Sequence, residues 1–480
     1  MKTSRRELLG AATGALTAMI APVSKCHAEP QPTVGAITPE MFGAKGDGVS
    51  NDTRALAAMA AYVNARGGGE IWFRKATYVV GLQNQAHGSG VDYAFAPEKV
   101  MEFTGCSRPL VIHGNGARIK CAPGLRFGTF DPRSGRETRR KSPNYMRGEL
   151  SSPYHWMIKV SGCTGAVEIA DLELDGSLDA LRVGGPWGDT GHQIGTMGIG
   201  LVNNRGREIL RNLYLHHHAV DGLLIDGLDA DRAQPSLIEN VRSLYNARQG
   251  CSIVGGRGYR FLDCEFSHTG KGGLASSPGG GVDVEAEAGK KVRDLSFQRC
   301  RFANNIGPGL VADQGDSAGA SFADCTFIGT TSWSAWPKKP RFRFQACAFV
   351  GPISNCFGSV ERPDDAVKFY DCTFRDDPSL SPTGKVYKPP LTDGPIADLP
   401  GNPNVLFSRC KFLLTHAHAL PWTTNVVIFA DCTMEQASTK PAYPRGTYVG
   451  RNTIRGNVDL YSAIVKGPLT VNGRPQPLTP

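Results

Sequence analysis

Five glycine-led segments align in one column, and three of them carry the acidic residues best spaced for shared chemistry. The five are Gly198-Ile199-Gly200-Leu201-Val202, Gly222-Leu223-Leu224-Ile225-Asp226, Gly250-Cys251-Ser252-Ile253-Val254, Gly281-Val282-Asp283-Val284-Glu285 and Gly309-Leu310-Val311-Ala312-Asp313. The first and third residues after each glycine are apolar, so in a strand they point inward. Asp226, Asp283, Glu285 and Asp313 then face outward together. If consecutive segments stack as neighbouring strands, Glu285 and Asp313 lie one strand spacing apart, ~5 Å, and Asp226 lies two spacings from Glu285, roughly 9–10 Å. Asp283 is ~6.5 Å from Glu285 along the strand. These separations bracket the two carboxylate geometries of glycoside hydrolysis, about 5–5.5 Å for retention and about 6.5–9.5 Å for inversion. Crowding of like charges also raises one pKa, as a general acid requires. Glu285 is the expected proton donor.

Cationic and imidazole side chains precede these strands: His216, His217 and His218 with Asp221, then Arg248, then His268 with Lys271. Three consecutive histidines on a turn read first as solvated polar sequence. Functionally, His216, His218, Asp221, Arg248, His268 and Lys271 suit binding of a uronate. His218, His268 or Lys271 would then abstract the proton α to its carboxylate, the step a lyase or epimerase needs. That chemistry admits Ca²⁺ on the same aspartates as an aid; hydrolysis needs no cofactor, and no protein metal site is expected. His192, in the loop 184–196, is a candidate cover for the cleft.

What must position these residues is a repeat. The pattern Phe-x-x-Cys-x-Phe recurs at Cys264, Cys300, Cys325, Cys347, Cys372 and Cys410, and Phe429-x-x-Cys432-x-Met434 makes a seventh copy. Successive cysteines lie 36, 25, 22, 25, 38 and 22 residues apart, so one unit takes 22–25 residues and two intervals carry insertions. Segments at Ile169 to Leu174, Leu210 to Leu215 and Ile238 to Val241 fit the frame without cysteine. Cys and the following Phe share one side of a strand, and the residue before Cys (Asp263, Asp324, Asp371 and Asp431, or Asn212 and Asn240 earlier) sits at a tight bend. Such units bury their apolar face only by stacking. The expected fold is all-β, a right-handed parallel β-helix: a single-stranded solenoid of ten or more coils. A propeller needs longer blades, and a leucine-rich repeat needs a Leu/Asn frame that is missing. The chain has no Cys-x-x-Cys pair, which argues against zinc-binding cysteines, and laddered side chains run parallel, which favours free thiols over disulfides.

Open ends of a β-helix need covering. Asn51, Asp52 or Thr53 can cap a helix running through Asn64, and the segments from Glu70 and from Thr77 read as first strands. Phe42 to Thr53 (FGAKGDGVSNDT), that helix, Gly67 to Phe73 (GGGEIWF) and Ala76 to Val80 (ATYVV) resemble the entry segment of the pectate lyase superfamily, in its rhamnogalacturonase and epimerase-like branch. The resemblance covers about forty residues and departs from the family at Arg74-Lys75-Ala76, where a Pro-x-Gly turn is common. It implies a right-handed parallel β-helix acting on polysaccharide and supplies no catalytic residue. The polygalacturonase set of Asn-x-Asp, Asp-Asp, Gly-His-Gly and Arg-x-Lys is absent in that order; Arg118-Ile119-Lys120 matches its last element in letters only.

The remaining composition sets compartment and partners. The 480 residues hold 53 Lys plus Arg against 44 Asp plus Glu, 58 Gly and 13 Cys. The glycine is aperiodic, which excludes collagen, and 40% hydrophobic residues exclude a disordered polyelectrolyte. Arg5-Arg6 before the apolar stretch from Leu8 to Ile20 fits a twin-arginine signal over residues 1–28, with Leu8 and Gly10 departing from the consensus and Sec export left open. Cytoplasmic folding before twin-arginine export would also shelter the thiols from oxidation. Losing Lys2, Arg5, Arg6 and Lys25 with Glu7 lowers the net charge from +9 to +6. No basic stripe interleaved with aromatics appears, so neither nucleic acid nor, after signal removal, a membrane is expected as partner. The basic segment from Arg133 to Arg147 is a solvated loop or a contact for an anionic polymer.

The expected organisation is therefore signal peptide 1–28, linker 29–37, cap and first strands 38–109, β-helix 110–470 and tail 471–480. The expected protein is periplasmic or secreted, a polysaccharide-active glycoside hydrolase. A uronate lyase or epimerase is the alternative, and a non-catalytic polysaccharide-binding or scaffold protein the third.

Overall fold

The computed structural model describes residues 35–85, 93–138, 149–185, 194–231, 233–389 and 394–480. The expected signal segment 1–28, His192 and the basic residues Arg139, Arg140, Lys141 and Arg147 lie outside them; Arg133 and Arg136 are described. Among the described residues no helix is long and apolar enough to cross a membrane.

A right-handed parallel β-helix is what the repeat builds. In the main sheet, strands a few elements apart in sequence pair in parallel from Asp47 to Val471, and a short antiparallel pair (Thr470 with Pro475) closes the far end; a separate five-stranded sheet contains the antiparallel pairs of Gln83–Gln85 with Tyr93–Pro97 and of Arg126–Thr129 with Leu150–Ser151. Each coil has one strand in a front sheet and two in a back sheet folded at a sharp bend. The bend is a single residue in the left-handed region. Asp171, Asn212, Asn240, Asp263, Asp324, Asp371 and Asp431 all have φ between 50° and 59° there. Asn and Asp tolerate that conformation because their short polar side chains bond locally. Arg299, Ala346 and Arg409 occupy equivalent bends at φ 51°, 52° and 53°. Arg409 and Arg299 offset the strain by bidentate pairing with Asp371 and Asp263 on neighbouring bends, at 2.7–2.8 Å.

Inside, the repeat forms three ladders. Phe261, Phe297, Phe322, Phe344, Phe369, Phe407 and Phe429 stack with centroids 4.3–5.4 Å apart. Phe266, Phe302, Phe327, Phe349, Phe374 and Phe412 make the second at 4.6–5.9 Å. Between them run the buried free thiols Cys264, Cys300, Cys325, Cys347, Cys372, Cys410 and Cys432. Each donates to the previous coil, as Cys347 Sγ does to Phe322 O at 3.4 Å and Cys432 Sγ to Phe407 O at 3.2 Å.

The helix Thr53–Ala65 covers the open first coil with Leu56, Met59, Ala60 and Val63 buried. Its entry is held by Asn51, whose Oδ1 accepts from Thr53 N at 3.1 Å. Asp52, at the N-cap position, turns its carboxylate instead to Lys45 N (2.6 Å) and Gly46 N (3.0 Å), which fixes the preceding loop.

Candidate functional site

The front sheet holds the strands Met197–Val202, Asp221–Asp226, Gln249–Arg257, Gly280–Val284 and Leu310–Ala312 side by side. Leu223, Cys251, Val282 and Leu310 form one inward row. Leu224, Ser252, Asp283 and Val311 form the outward row beside it. Glu285 and Asp313 follow the ends of the strands that pair Asp283 with Val311, and the charges of both act on Asp283 and on Lys339.

Asp283 is 4% exposed and pairs in register with Val311. Its Oδ2 accepts from Gln249 Nε2 at 2.8 Å, and its Oδ1 is buried without a partner among the described residues. Burial first, then the negative charges of Glu285, Asp221 and Asp313, push its pKa up to about 8 against the pull of Arg248. Asp221 is fully buried one strand start away. Ser252 Oγ donates to its Oδ2 at 2.8 Å and Arg248 Nη1 lies 3.2 Å from the same atom. Burial nevertheless raises the Asp221 pKa, the Arg248 charge being the main opposing influence. Asp221 Oδ1, Asp283 Oδ1, Gln249 Oε1 and Arg248 Nε are all buried and lack a partner among the described residues. Native interiors satisfy most such atoms, so four of them on neighbouring residues set this cluster apart. Glu208, by contrast, is a buried carboxylate that is fully satisfied, by Asn204 (2.9 Å), Ser236 (3.3 Å) and Tyr259 (2.7 Å).

Above this cluster lies a groove of about 530 Å³ lined by Leu224, Arg248, Val254, Glu285, Lys290 and Asp316, among others. Lys339 stands at its far side, donating to Gly315 O at 2.7 Å and feeling Asp313, Asp316 and Glu285. Asp226 is held to one side by Lys290, whose Nζ lies 2.7 Å from Oδ1 and 2.9 Å from Glu287.

The histidines fall elsewhere. His216 and His218 are buried rather than solvated as their turn position suggested, because the turn packs against neighbouring coils. His218 sits under the front sheet, bonded to Tyr154 Oη at 2.9 Å, where burial pushes its pKa down to about 3. Gly198 makes the room: a Cβ there would come within 2.8 Å of His218 Nε2. His268 is stacked on Tyr245 at 4.6 Å and bonded to Asn304 at 2.8 Å, and Lys271 donates to Thr331 at 3.1 Å. His216 lies on the back sheet beside Asp175 and His217. The structure therefore joins Asp221, Arg248, Asp283, Glu285 and Asp313, leaves Asp226 at the groove edge, and separates His216, His218, His268 and Lys271 from them.

Gln249, Ser252, Lys290 and Lys339 were not singled out in the sequence. One signal was available for Gln249, which precedes a column glycine as Asp221 does and pairs with it in register.

No protein-family model matches the chain. It is 23% identical over 372 residues to "Depolymerase 1, capsule KN3-specific" of Klebsiella phage KN3-1, across 68% of this chain and 40% of that protein. The chain thus spans less than half the length of that curated relative. Among solved structures, the A-module of the Azotobacter vinelandii mannuronan C-5 epimerase AlgE4 superposes with a TM-score of 0.44 and 15% identity, covering 92% of this chain and all of that one. The tailspike protein gp49 of Acinetobacter baumannii bacteriophage Fri1, a capsular polysaccharide depolymerase, gives 0.42 and 12%, covering 89% and 64%.

Proposed function

We propose that the protein is a polysaccharide hydrolase whose reaction takes place in the front-sheet groove. The observation that carries this reading is the carboxylate set: Asp283 in the outward row of its strand, Glu285 just past that strand's end and lining the open groove, and Asp313 near enough that both charges act on Asp283. Asp283 holds a proton at neutral pH and is assigned the donor role that the sequence alone had given to Glu285. Glu285 lines the groove and acts as the base that activates water. Two residues along a strand separate Asp283 and Glu285 by ~6.6 Å, within the range of inverting enzymes. Arg248 and Lys290 give the groove cationic contacts for an acidic sugar. The sequence similarity to a capsule depolymerase supports a polysaccharide as substrate.

In the eliminating or epimerising alternative the same Glu285 would serve as the base at the substrate's α-proton, so the product separates the two readings. A panel of neutral and acidic capsular glycans tests the reading. New reducing ends without ultraviolet absorbance support it, and an unsaturated, absorbing product refutes it.

A further inference from the structure

A second cluster lies across the turn from the groove, where the strands Val167–Asp175 and Glu208–His216 end side by side. Asp175 pairs with His216 in register, and His217 follows in the left-handed conformation at φ 55°. One ligand atom from each of Asp175, His216 and His217 lies within 4.8 Å of the other two. The two Nδ1 atoms are 2.7 Å apart, and Asp175 Oδ1 is 3.6 Å from His216 Nδ1.

Each of these groups is braced from behind. His216 turns its other nitrogen to Glu173, with Nε2 3.1 Å from Oε1. That contact fixes the tautomer with the proton on Nε2 and leaves the Nδ1 lone pair facing the cluster. Asp175 Oδ1 accepts from Ser177 N at 2.8 Å, and Arg118 holds Oδ2. The His217 ring is clamped flat on Tyr245, at 5.3 Å and 9°. A shallow groove of about 270 Å³ opens onto the cluster, lined by Arg118, Lys120, Asp175, His216 and His217 among others.

We propose that Asp175, His216 and His217 form a binding site for a divalent transition-metal ion. Two imidazoles and one carboxylate select zinc, nickel or cobalt over calcium or magnesium, which prefer oxygen-only sets. The open side leaves coordination positions for water or an anionic ligand, and Arg118 and Lys120 stand beside them. Glu173 supplies the outer carboxylate that histidine ligands commonly require. This site is separate from the groove carboxylates and stands whether or not they hydrolyse polysaccharide.

The test is a calorimetric titration of Zn²⁺ into the chelator-stripped, untagged chain, with bound metal counted after gel filtration. One equivalent at micromolar affinity or tighter is expected, with no comparable uptake of Ca²⁺. His217→Asn, which keeps a residue tolerant of the left-handed bend, removes the binding, and Glu173→Gln weakens it about 10–100-fold. His416→Gln, at an exposed histidine elsewhere, leaves it unchanged. Failure of the wild-type chain to take up Zn²⁺, or uptake that survives both His217→Asn and Asp175→Asn, overturns the proposal. Should those variants misfold, Co²⁺ on the wild-type chain decides: visible d–d bands support the site, and their absence contradicts it.

Discussion

Gln249 Nε2 donates to Asp283 Oδ2 at 2.8 Å, joining adjacent coils across 34 residues of sequence. The bond orients a carboxyl group whose other oxygen is buried and has no partner among the described residues. An amide donor without charge leaves the acid's raised pKa largely intact, where a second arginine would have lowered it. The coil geometry thus keeps a protonated acid at neutral pH beside two further carboxylates.

Activity should depend on that proton. Asp283→Asn is expected to lower kcat by about 10²–10⁴-fold, the usual worth of a general acid. The wild-type kcat/KM should fall on the alkaline side with an apparent pKa near 8. Initial rates across pH 5–10 on a hydrolysed glycan measure both; an alkaline limb that moves to lower pH in Glu285→Gln, where a neighbouring negative charge is gone, and is lost in Asp283→Asn identifies the titrating group.

Stability gives an independent reading of the same residue. The folded pKa of Asp283 lies above its unfolded value, so the folded state binds the extra proton between about pH 4 and 8. Stability from this group is therefore fully present below the unfolded pKa and is lost as pH rises through about 8. Asp283→Asn should melt higher than the wild type at pH 9 and close to it at pH 4, as followed by circular dichroism.

His218 acts with the opposite sense. Its folded pKa is pushed down to about 3, below the unfolded value, so the unfolded state takes up the proton first as pH drops. Its contribution is present above about pH 6.5 and is lost on acidification toward pH 3. His218→Gln is expected to flatten the acid limb of a melting-temperature profile.

The ion pair under the groove should be costly to break. Arg248→Met leaves Asp221 buried and uncompensated, a loss of about 3–5 kcal/mol by denaturant unfolding, whereas the double change with Asp221→Leu recovers much of it. Full stability in the single variant would show that Asp221 is protonated or solvated.

The left-handed bends offer a cleaner backbone test. Ala346 is exposed, sits at φ 52° and lacks the carboxylate partner that Arg299 and Arg409 find. Ala346→Gly should raise stability by about 0.5–1 kcal/mol, read as a shift in denaturation midpoint.

The coil architecture was legible because its signals are periodic. Phe, Cys and a bend residue recur at fixed offsets, and stacking turns each offset into a ladder. Asp263 and Asn240 announced their bends by type, but Arg299 and Ala346 did not, since pairing or tolerated strain holds them there. The outward position of Asp283 followed from alternation alone. What did not follow was its burial, which Glu285 and Asp313 do not share. Sequence alternation says which way Asp283 points and is silent about the Gln249 that binds it. The pairing of His216 with Asp175 was equally hidden, because it depends on strand register across a loop of variable length.

The most direct measurement of the central claim is product analysis in water enriched in oxygen-18, by mass spectrometry of the fragments released from a cleaved glycan. Hydrolysis by the groove carboxylates predicts one solvent oxygen at each new reducing end, formed by the wild-type chain and lost with Asp283→Asn. Fragments that carry no solvent oxygen and contain a new double bond, or equal labelling by Asp283→Asn, would contradict it.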